Sequence, residues 1–258
     1  MGDKVALIFG YGPNVGFAIA DSLALHGYKV AVVSRSEHLS DAAKNNLQIQ
    51  AGLSVPSSVE NIFTRVIGEL GHPTVVVYNG KLLCVYFKGV EFLRGEVLRY
   101  LLASAVGVNP SAPQISQFES ANNVNIVSAY VAAQFAVKSF AQLPPESPRT
   151  FIYTGNKLPL MVVQPLLLQG VGKAGAAHLI HYLAEEYKGK GYKSIFKYRL
   201  FQEFYFADER KPDGEPVYSA IDGSAHAHFY IQLAEDNMQE PWFATFVKGQ
   251  GMFFSRKH

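Results

Sequence analysis

"KVALIFGYGPNVG", residues 4–16, joins a short β-branched run to a loop that contains three glycines. The run predicts a buried strand over 4–10, and apolar residues at helical spacing predict a helix over 14–27. Glycines at a first strand-to-helix turn let the backbone approach a pyrophosphate, which then lies at the positive end of the helix. This turn therefore predicts a dinucleotide-binding loop, and a glycine turn that serves only packing is the alternative. The loop residues are Gly10, Gly12, Asn14, Val15 and Gly16.

Strand and helix patterns alternate along most of the chain. Such alternation builds right-handed crossovers and a parallel sheet with helices on both faces. The sequence therefore predicts a single α/β domain over 1–258, a doubly wound parallel sheet of the Rossmann-like type. The further predicted strands are 28–35, 46–53, 74–80, 149–155 and 192–200. The further predicted helices are 57–70, 122–143, 165–189 and 224–235, the last capped by Asp222 or Ser224.

Two segments depart from this alternation. Residues 81–121 are far longer than an ordinary connection, so we expect either an extra helical insertion or an error in the neighbouring element boundaries. Apolar residues at helical spacing between 93 and 106 favour the insertion. In residues 201–258 we expect a lid and the substrate region, with a solvated loop at 207–215.

Composition excludes several classes of protein. The chain has 258 residues, 48% apolar and 17% charged, so it can bury a sizeable core. A formal net charge of +2 with dispersed basic residues gives no footprint for nucleic acid. Cys84 is the single cysteine, which excludes an internal disulfide and fits a reducing compartment. The leucine-rich stretch 82–106 carries charged residues, so it does not predict a membrane span.

Two further observations bear on location and metal binding. The first strand begins too close to the start of the sequence for a cleavable leader, so we expect a cytoplasmic protein. His226 and His228 stand two residues apart on a predicted helix and therefore point to different faces. We expect no metal site.

The end of the second predicted strand, "VVSRS" at 32–36, bears on the choice of cofactor. An acid at this position suits a ribose 2′-hydroxyl, whereas an arginine suits a 2′-phosphate. Arg35 can form charge-assisted hydrogen bonds to phosphate, with Ser34 as a small hydroxyl partner. We therefore predict NADPH (NADP+) as the cofactor; an ordinary surface arginine is the alternative.

The order of these landmarks resembles the short-chain dehydrogenase/reductase family over roughly residues 4–200. After the glycine loop and "SR" come "YNG" (78–80), "NVNIVSAY" (123–130), "FIYTG" (151–155) and Lys173. The resemblance implies that the loop glycines line the cofactor phosphates and that Asn79 and Gly80 flank the adenosine side. It also implies that Asn125 holds a water near the lysine, and that Lys173 bonds the nicotinamide ribose.

Several positions depart from the family pattern. Asn14 replaces the middle glycine of the loop, Leu53 stands near the position of an acid that touches adenine, and the proline-glycine after strand six is absent. The family's catalytic serine aligns with Asn156, and its catalytic tyrosine aligns with Gln169, four residues before Lys173. The resemblance thus implies an atypical branch without the Ser–Tyr pair.

The four candidate catalytic residues are Asn125, Asn156, Gln169 and Lys173. An amide cannot replace the phenol as a general acid, a loss that typically costs about 10²–10⁴-fold in rate. Amides can still polarise a carbonyl by hydrogen bonding. Three alternatives remain for the proton that a tyrosine would donate. A strongly electrophilic substrate does not need the proton during hydride transfer. Otherwise the proton comes from another tyrosine, or from Lys173 through a water molecule. The candidate tyrosines are Tyr86, Tyr205 and Tyr218.

Two function classes follow. The first is an NADPH-dependent oxidoreductase that transfers hydride to a small hydrophobic carbonyl, enone or imine. The second is a non-redox cofactor-binding pseudoenzyme, or an isomerase or cyclase on the same fold. The resemblance also implies a homodimer or homotetramer that pairs through helices 122–143 and 165–189, where small residues would allow close approach.

Overall fold

The computed structural model describes residues 4–36, 46–80, 115–163, 166–188, 203–235 and 241–252. Its strands form one sheet in the order β3-β2-β1-β4-β5-β6-β7-β8, and only the last pair is antiparallel. The first four strands are β1 (Val5–Phe9), β2 (Lys29–Ser34), β3 (Leu47–Gln50) and β4 (Val75–Tyr78). The others are β5 (Thr150–Thr154), β6 (Glu203–Arg210), β7 (Phe243–Val247) and β8 (Gly251–Met252).

Six α-helices cover the two faces of this sheet within the described ranges. They are α1 (Val15–Leu25), α2 (Ser58–Leu70), α3 (Ile115–Asn122), α4 (Ser128–Phe140), α5 (Leu167–Tyr187) and α6 (Gly223–Glu235). A π-helical turn, Asn123–Val127, joins α3 to α4. The core on one face contains α2, α4 and α5, and the core on the other contains α1 and α6. The doubly wound α/β fold is therefore confirmed.

The central strand shows why this sequence forms a two-faced sheet. All five residues of β1 are buried. Val5, Leu7 and Phe9 belong to one core cluster, and Ala6 and Ile8 belong to the other, as the two-residue repeat of a strand requires. Such a strand needs an apolar residue at every position because both its faces lie under helices.

The sixth strand differs from the prediction. The expected strand at 192–200 lies outside the described residues, and the strand that pairs with β5 is Glu203–Arg210. Residues 207–210, expected to begin a solvated loop, are buried in this strand, whereas the backbone turns at 211–214. Consequently the segment after the sixth strand contains Pro212 and Gly214, separated by an aspartate.

The long helix predicted at 122–143 also differs in detail. It begins earlier, at Ile115, contains the π-helical turn, and ends at Phe140. The end of the expected insertion is thus helical, and residues 81–114 lie outside the described part of the chain. The last helix follows the prediction, and its cap is Asp222, whose Oδ1 accepts a hydrogen bond from the Ala225 amide at 2.9 Å.

The small residues expected at a subunit interface lie instead inside this chain. On α4 they pack in the core, and on α5 most of them do so, because the helices there approach the sheet and each other closely. The buried small residues are Ala132, Ala133, Ala136, Gly172, Ala176 and Ala177. Among the described helices, none combines the length and apolar composition that a membrane crossing needs.

Candidate functional site

A cleft of about 770 Å³ opens where β1, β2, β4, β5 and β6 end. The carboxyl ends of parallel strands share one edge of the sheet, so the loops that follow them converge there. The candidate cofactor-binding and catalytic residues proposed from the sequence all line this cleft. They are Gly10, Gly12, Asn14, Val15, Gly16, Ser34, Arg35, Leu53, Asn79, Gly80, Asn125, Asn156, Gln169 and Lys173.

The structure explains in different ways why each of the three loop positions is a glycine. Gly10 has a φ of +86°, and an added Cβ would stand 2.4 Å from the Asn79 carbonyl oxygen. A Cβ at Gly16 would stand 2.6 Å from the Gly10 carbonyl oxygen. A Cβ at Gly12, in contrast, would meet nothing within 4 Å. The fold therefore requires the outer two glycines, and the middle one keeps open the space that faces the cleft.

Asn14 lines the cleft, but its side chain is tied to the protein. Its Nδ2 donates to the Ile221 carbonyl at 2.9 Å, and its Oδ1 accepts from the Gly223 amide at 3.0 Å. Both polar groups of the Asn14 amide are thus bonded to residues at the start of α6, whereas the sequence predicts that Asn14 contacts the cofactor. The loop and α6 are joined where the family pattern has a glycine.

The loops after β2 and β4 form the other end of the cleft. Arg35 is exposed there, and the Ser34 hydroxyl donates to the Ser36 carbonyl at 2.5 Å. Asn79 Nδ2 donates to the Gly10 carbonyl at 2.8 Å, which joins the two loops. Leu53 gives this end an apolar side, as a Cβ at Gly80 would lie 2.9 Å from its Cδ1.

Lys173 and Gln169 lie one helical turn apart on α5 and are both buried in the wall of the cleft. Lys173 Nζ donates to the Thr154 carbonyl at 2.7 Å and lies 3.4 Å from the Tyr153 hydroxyl oxygen. Gln169 is 9% exposed, and its amide forms no hydrogen bond to any other residue of the described ranges. Because Gln169 lines the cleft, its amide reaches the open space, where a ligand or water can supply a hydrogen-bond partner.

The two asparagines proposed as catalytic residues are held more tightly. Asn125 lies in the π-helical turn, where its Nδ2 donates to the Ala121 carbonyl at 2.9 Å. Asn156 Oδ1 accepts a hydrogen bond from the Leu158 amide at 3.0 Å, which leaves the Nδ2 group as its remaining donor. Each asparagine therefore uses one polar group within the protein and keeps the other, Oδ1 in Asn125 and Nδ2 in Asn156, on a side chain that lines the cleft.

The end of β6 brings acidic side chains to the cleft that the sequence analysis missed. Burial raises the pKa of the Asp208 carboxyl to about 6, against the opposing effect of Arg210, whose Nε donates to it at 2.6 Å. Glu209 Oε2 accepts from the Asp222 amide at 2.9 Å and lies 3.5 Å from His226 Nδ1. Burial raises the pKa of Glu209 and lowers that of His226, so both lean toward their neutral forms.

The signal that could have found the acidic groups is the run "FYFA" at 204–207, directly before Asp208. An uninterrupted apolar run that ends in charged residues is typical of a buried parallel strand whose carboxyl end reaches a site. Within the described ranges, no cluster of three or more histidine, cysteine or acidic side chains is arranged to hold a metal.

The three tyrosines considered as replacement proton donors differ in their position relative to the cleft. Tyr205 is 1% exposed and donates to Glu203 at 3.4 Å, away from the residues that line the cleft. Tyr218 does line the cleft, is 44% exposed, and has a φ of +50°, which is unusual for a residue other than glycine. Tyr86 lies outside the described residues.

Apolar side chains form the remaining walls near Gln169. They come from the segment after β5 and from the segment after β6, on opposite sides of the opening. They are Leu158, Met161, Val163, Leu166, Pro216, Val217 and Ile221. The cleft therefore combines polar side chains with apolar side chains from these two segments.

Known proteins resemble this chain in sequence. No family model matches it. A short-chain dehydrogenase/reductase of Cryptosporiopsis sp., dmxR12, is 36% identical over 251 residues, which are 97% of this chain and 94% of that protein. An uncharacterized oxidoreductase of Staphylococcus epidermidis is 26% identical over 186 residues, which are 64% of this chain and 80% of that protein.

Solved structures share the fold at low sequence identity. A metagenomic short-chain oxidoreductase in complex with NADP superposes with a TM-score of 0.70 at 16% identity, covering 95% of both chains. A 3-oxoacyl-[acyl-carrier protein] reductase from Brucella melitensis superposes with a TM-score of 0.68 at 17% identity, covering 91% of this chain and 90% of that one. Because the Cryptosporiopsis protein matches nearly the whole chain at 36% identity, the chain belongs to the short-chain dehydrogenase/reductase family, whose members are oxidoreductases that use a nicotinamide cofactor.

Proposed function

We propose that this protein is an NADPH-dependent reductase of a hydrophobic carbonyl, enone or imine. The observation that carries the proposal is the amide of Gln169, which lines the cleft one turn from Lys173 and has no hydrogen-bond partner among the described residues. Both line the same cleft as the open space at Gly12. A polar pair at the strand ends and apolar walls around it suit a hydrophobic substrate with one polar reacting group.

The cofactor NADPH fits the residues that are present. The empty space at Gly12 would take phosphate, since an added Cβ there meets no protein atom within 4 Å. Arg35, exposed at the end of β2, would bind a 2′-phosphate, and no acid precedes it on that strand. An NADP complex of a protein with this fold supports the same choice.

The chain's own residues would act on the substrate by hydrogen bonding and charge. NADPH supplies the hydride when bound. Gln169 and the free Nδ2 of Asn156 would donate hydrogen bonds to the substrate oxygen, and the Lys173 ammonium would stabilise negative charge that develops there. Lys173 would also bond the nicotinamide ribose, as the family resemblance implies.

The source of the proton distinguishes this site from that of other family members. We infer an atypical branch, because amides stand where a serine and a tyrosine are expected. Among the three candidate tyrosines, Tyr218 is the one that lines the cleft in the described part of the chain. A water relay from Lys173 through Asn125 has less support, because the Asn125 carbonyl oxygen, which would hold the water, accepts a hydrogen bond from the Tyr153 hydroxyl.

The first experiment is calorimetric titration with NADPH and NADH. We expect NADPH to bind at least about 10-fold more tightly, since hydrogen bonds to a charged group contribute about 1.5–3 kcal/mol. Arg35→Asp should remove this preference, and Gly12→Ala should weaken both nucleotides while leaving thermal unfolding unchanged. Equal binding of the two nucleotides by the wild type would contradict the assignment of Arg35.

The second experiment follows NADPH absorbance with ketones, enones and imines of increasing apolar area. We expect oxidation with at least one of these electrophiles and its loss in Lys173→Ala. Tyr218→Phe identifies the proton donor, because only a role for the hydroxyl would slow ketones more than iminium substrates. Tight binding of NADPH without oxidation by any electrophile would reject the reductase.

A second candidate function is proton-transfer chemistry without redox, such as isomerisation. The observation that favours it is the titratable group of the cleft, Asp208, Glu209 and His226, whose pKa values are shifted by burial. In that case cofactor would bind without turnover, and His226→Gln would abolish the activity while Lys173→Ala would not.

A further inference from the structure

Two tyrosines on neighbouring strands hold the π-helical turn beneath the cleft. Tyr78 on β4 and Tyr153 on β5 are paired in register, and their rings stack with centroids 5.5 Å apart. The Tyr78 hydroxyl donates to the Val124 carbonyl at 2.5 Å, and the Tyr153 hydroxyl donates to the Asn125 carbonyl at 3.0 Å. The two phenols thus bind consecutive carbonyls of the same turn in the same way.

Only Tyr153 of this pair also contacts Lys173. The ammonium lies 3.4 Å from the phenol oxygen and 4.4 Å from the centroid of its ring. A cation at this distance from an aromatic face is attracted by the electron-rich face of the ring. The ring is held between its neighbours on β4 and β6, because Tyr78 and Phe206 both stack on it with centroids 5.5 Å apart.

The Tyr153 phenol remains protonated under ordinary conditions. Its side chain is fully buried, and burial raises its pKa far above the usual value. Its single proton is used in the bond to the Asn125 carbonyl, so its oxygen can offer Lys173 only a lone pair. The chain of hydrogen bonds from Lys173 therefore ends at a carbonyl, which has no proton to pass on.

We propose that Tyr153 is a positioning residue that fixes the Lys173 ammonium at the wall of the cleft. With the Thr154 carbonyl on one side and the phenol oxygen and ring on the other, the ammonium is a fixed charge and hydrogen-bond donor. The functional part of this inference rests on the role proposed above for Lys173.

Tyr78→Phe is the matched control for Tyr153→Phe. Both residues are completely buried, and both substitutions remove one phenol that bonds a carbonyl of the π-helical turn. Each leaves a buried carbonyl without its donor, so the structural cost should be similar. The two variants differ in the contact with Lys173.

The test compares NADPH affinity and steady-state kinetics of the two variants. We expect Tyr153→Phe to weaken NADPH binding and to lower kcat/KM by about 10-fold each, as the loss of a hydrogen bond to a charged group predicts. Tyr78→Phe should leave both values unchanged once folded protein is measured. Equal effects of the two substitutions would show that Tyr153 is merely structural and would overturn the proposal.

A second measurement needs neither cofactor nor the folding of Tyr153→Phe. Buried tyrosine hydroxyl protons exchange slowly enough to be followed by NMR, and Tyr78→Phe removes one signal and so assigns the pair. In Lys173→Met the Tyr153 hydroxyl resonance should shift while that of Tyr78 stays in place. An unmoved Tyr153 resonance would overturn the inference, whereas absent NADPH binding would reject only the proposed function.

Discussion

Gln169 stands four residues before Lys173, at the position that the family resemblance assigns to a catalytic tyrosine. Its amide is buried in the cleft wall, so a side chain at this site faces the ligand. A phenol introduced there would supply the acid that the site lacks. Gln169→Tyr should therefore raise the rate of ordinary ketone reduction by about 10²-fold or more, measured by NADPH consumption.

Gln169→Phe is the control for this substitution, since it adds the ring without the proton. We expect it to be no faster than the wild type. A wild-type enzyme that already reduces simple ketones as fast as Gln169→Tyr would mean that another residue, such as Tyr218, already provides the acid.

Asp208 gives the folded protein a specific dependence on pH. Burial, opposed by Arg210, Lys173 and Lys157, raises the pKa of this carboxyl from 3.8 to about 6. The folded state therefore binds the proton more tightly than the unfolded state, and the resulting stability is present at low pH and lost as the pH rises through about 6. The contribution lost between about pH 4 and 6 is on the order of 3 kcal/mol.

Urea unfolding of the wild type and of Asp208→Asn at several pH values measures this contribution. The asparagine does not titrate, and Glu209 and His226 titrate in both proteins, so their effects cancel to first order. The free energy of unfolding of the wild type relative to the variant should fall from pH 4 to 6 and then stay level. A difference that is constant or rising over that interval would show that Arg210 keeps Asp208 ionised.

At this scale the sequence predicts residues that belong to a local motif. Gly10, Gly12 and Gly16 are found from their spacing, and Lys173 from its place in the order of landmarks. Asp208, Glu209 and His226 are not found, because they reach the cleft from two elements whose meeting depends on the tertiary fold. The use of the Asn14 amide at the start of α6 also lies beyond sequence patterns.

Among the elements, the glycine loop and α6 are coupled through Asn14. The added Cβ of any residue at Gly223 would stand 2.6 Å from the Asn14 Oδ1, so the loop and the helix start are in direct contact. Asn14→Ala removes both hydrogen bonds and leaves a carbonyl and an amide at this junction without partners. We expect the free energy of unfolding to fall by about 1–3 kcal/mol.

Hydrogen exchange locates the effect of Asn14→Ala. Amides in the first turn of α6 should exchange faster, while those of α5 should not change. Asn123→Ala, which removes one exposed bond to the Ser54 carbonyl at 3.1 Å, is the control and should leave α6 unaffected. If α6 is equally protected in both variants, Asn14 does not couple the two elements.

The sixth strand shows where patterns at the level of elements mislead. The sequence predicts the sixth strand at "YKSIFKYRL", 192–200, which lies outside the described residues. The strand in the sheet, Glu203–Arg210, begins and ends with charged residues that are nonetheless buried. Its charges are tolerated because Arg210 pairs with Asp208 two residues earlier on the same strand, and because the Asp222 backbone amide donates a hydrogen bond to Glu209. The second of these is a contact that depends on the tertiary fold.

Across the whole molecule, the topology follows from the sequence because strands and helices alternate in a fixed order. Each parallel pair needs a crossover, and the crossovers of the described chain contain α1, α2, α3 with α4, α5 and α6 in sequence order. The short β8 lies at the edge of the sheet and pairs antiparallel with β7. The connection from β7 to β8 is a turn without a helix, so no helical pattern precedes β8 in the sequence. Edge strands of this kind carry too few residues for a reliable pattern.

The outer surface of α4 and α5 bears on assembly, because the small residues of these helices are used inside the chain. Apolar side chains remain exposed on both helices: Val127 just before α4 is 39% exposed, Tyr130 47%, Leu167 43% and Val171 38%. Burying such side chains against a second copy would be favourable at about 25 cal/mol per Å². We therefore expect a dimer that pairs through this surface, as the family resemblance implies.

Sedimentation velocity at micromolar concentrations tests this expectation. The double variant Tyr130→Glu, Val171→Glu should dissociate to monomers, because charges in the centre of an apolar interface lose their hydration. Leu25→Glu is the matched control, since Leu25 is 81% exposed on α1, against the opposite face of the sheet, and should leave the assembly intact. A wild type that sediments as a monomer, or a dimer that survives the double substitution, would mean that these exposed side chains are not the interface.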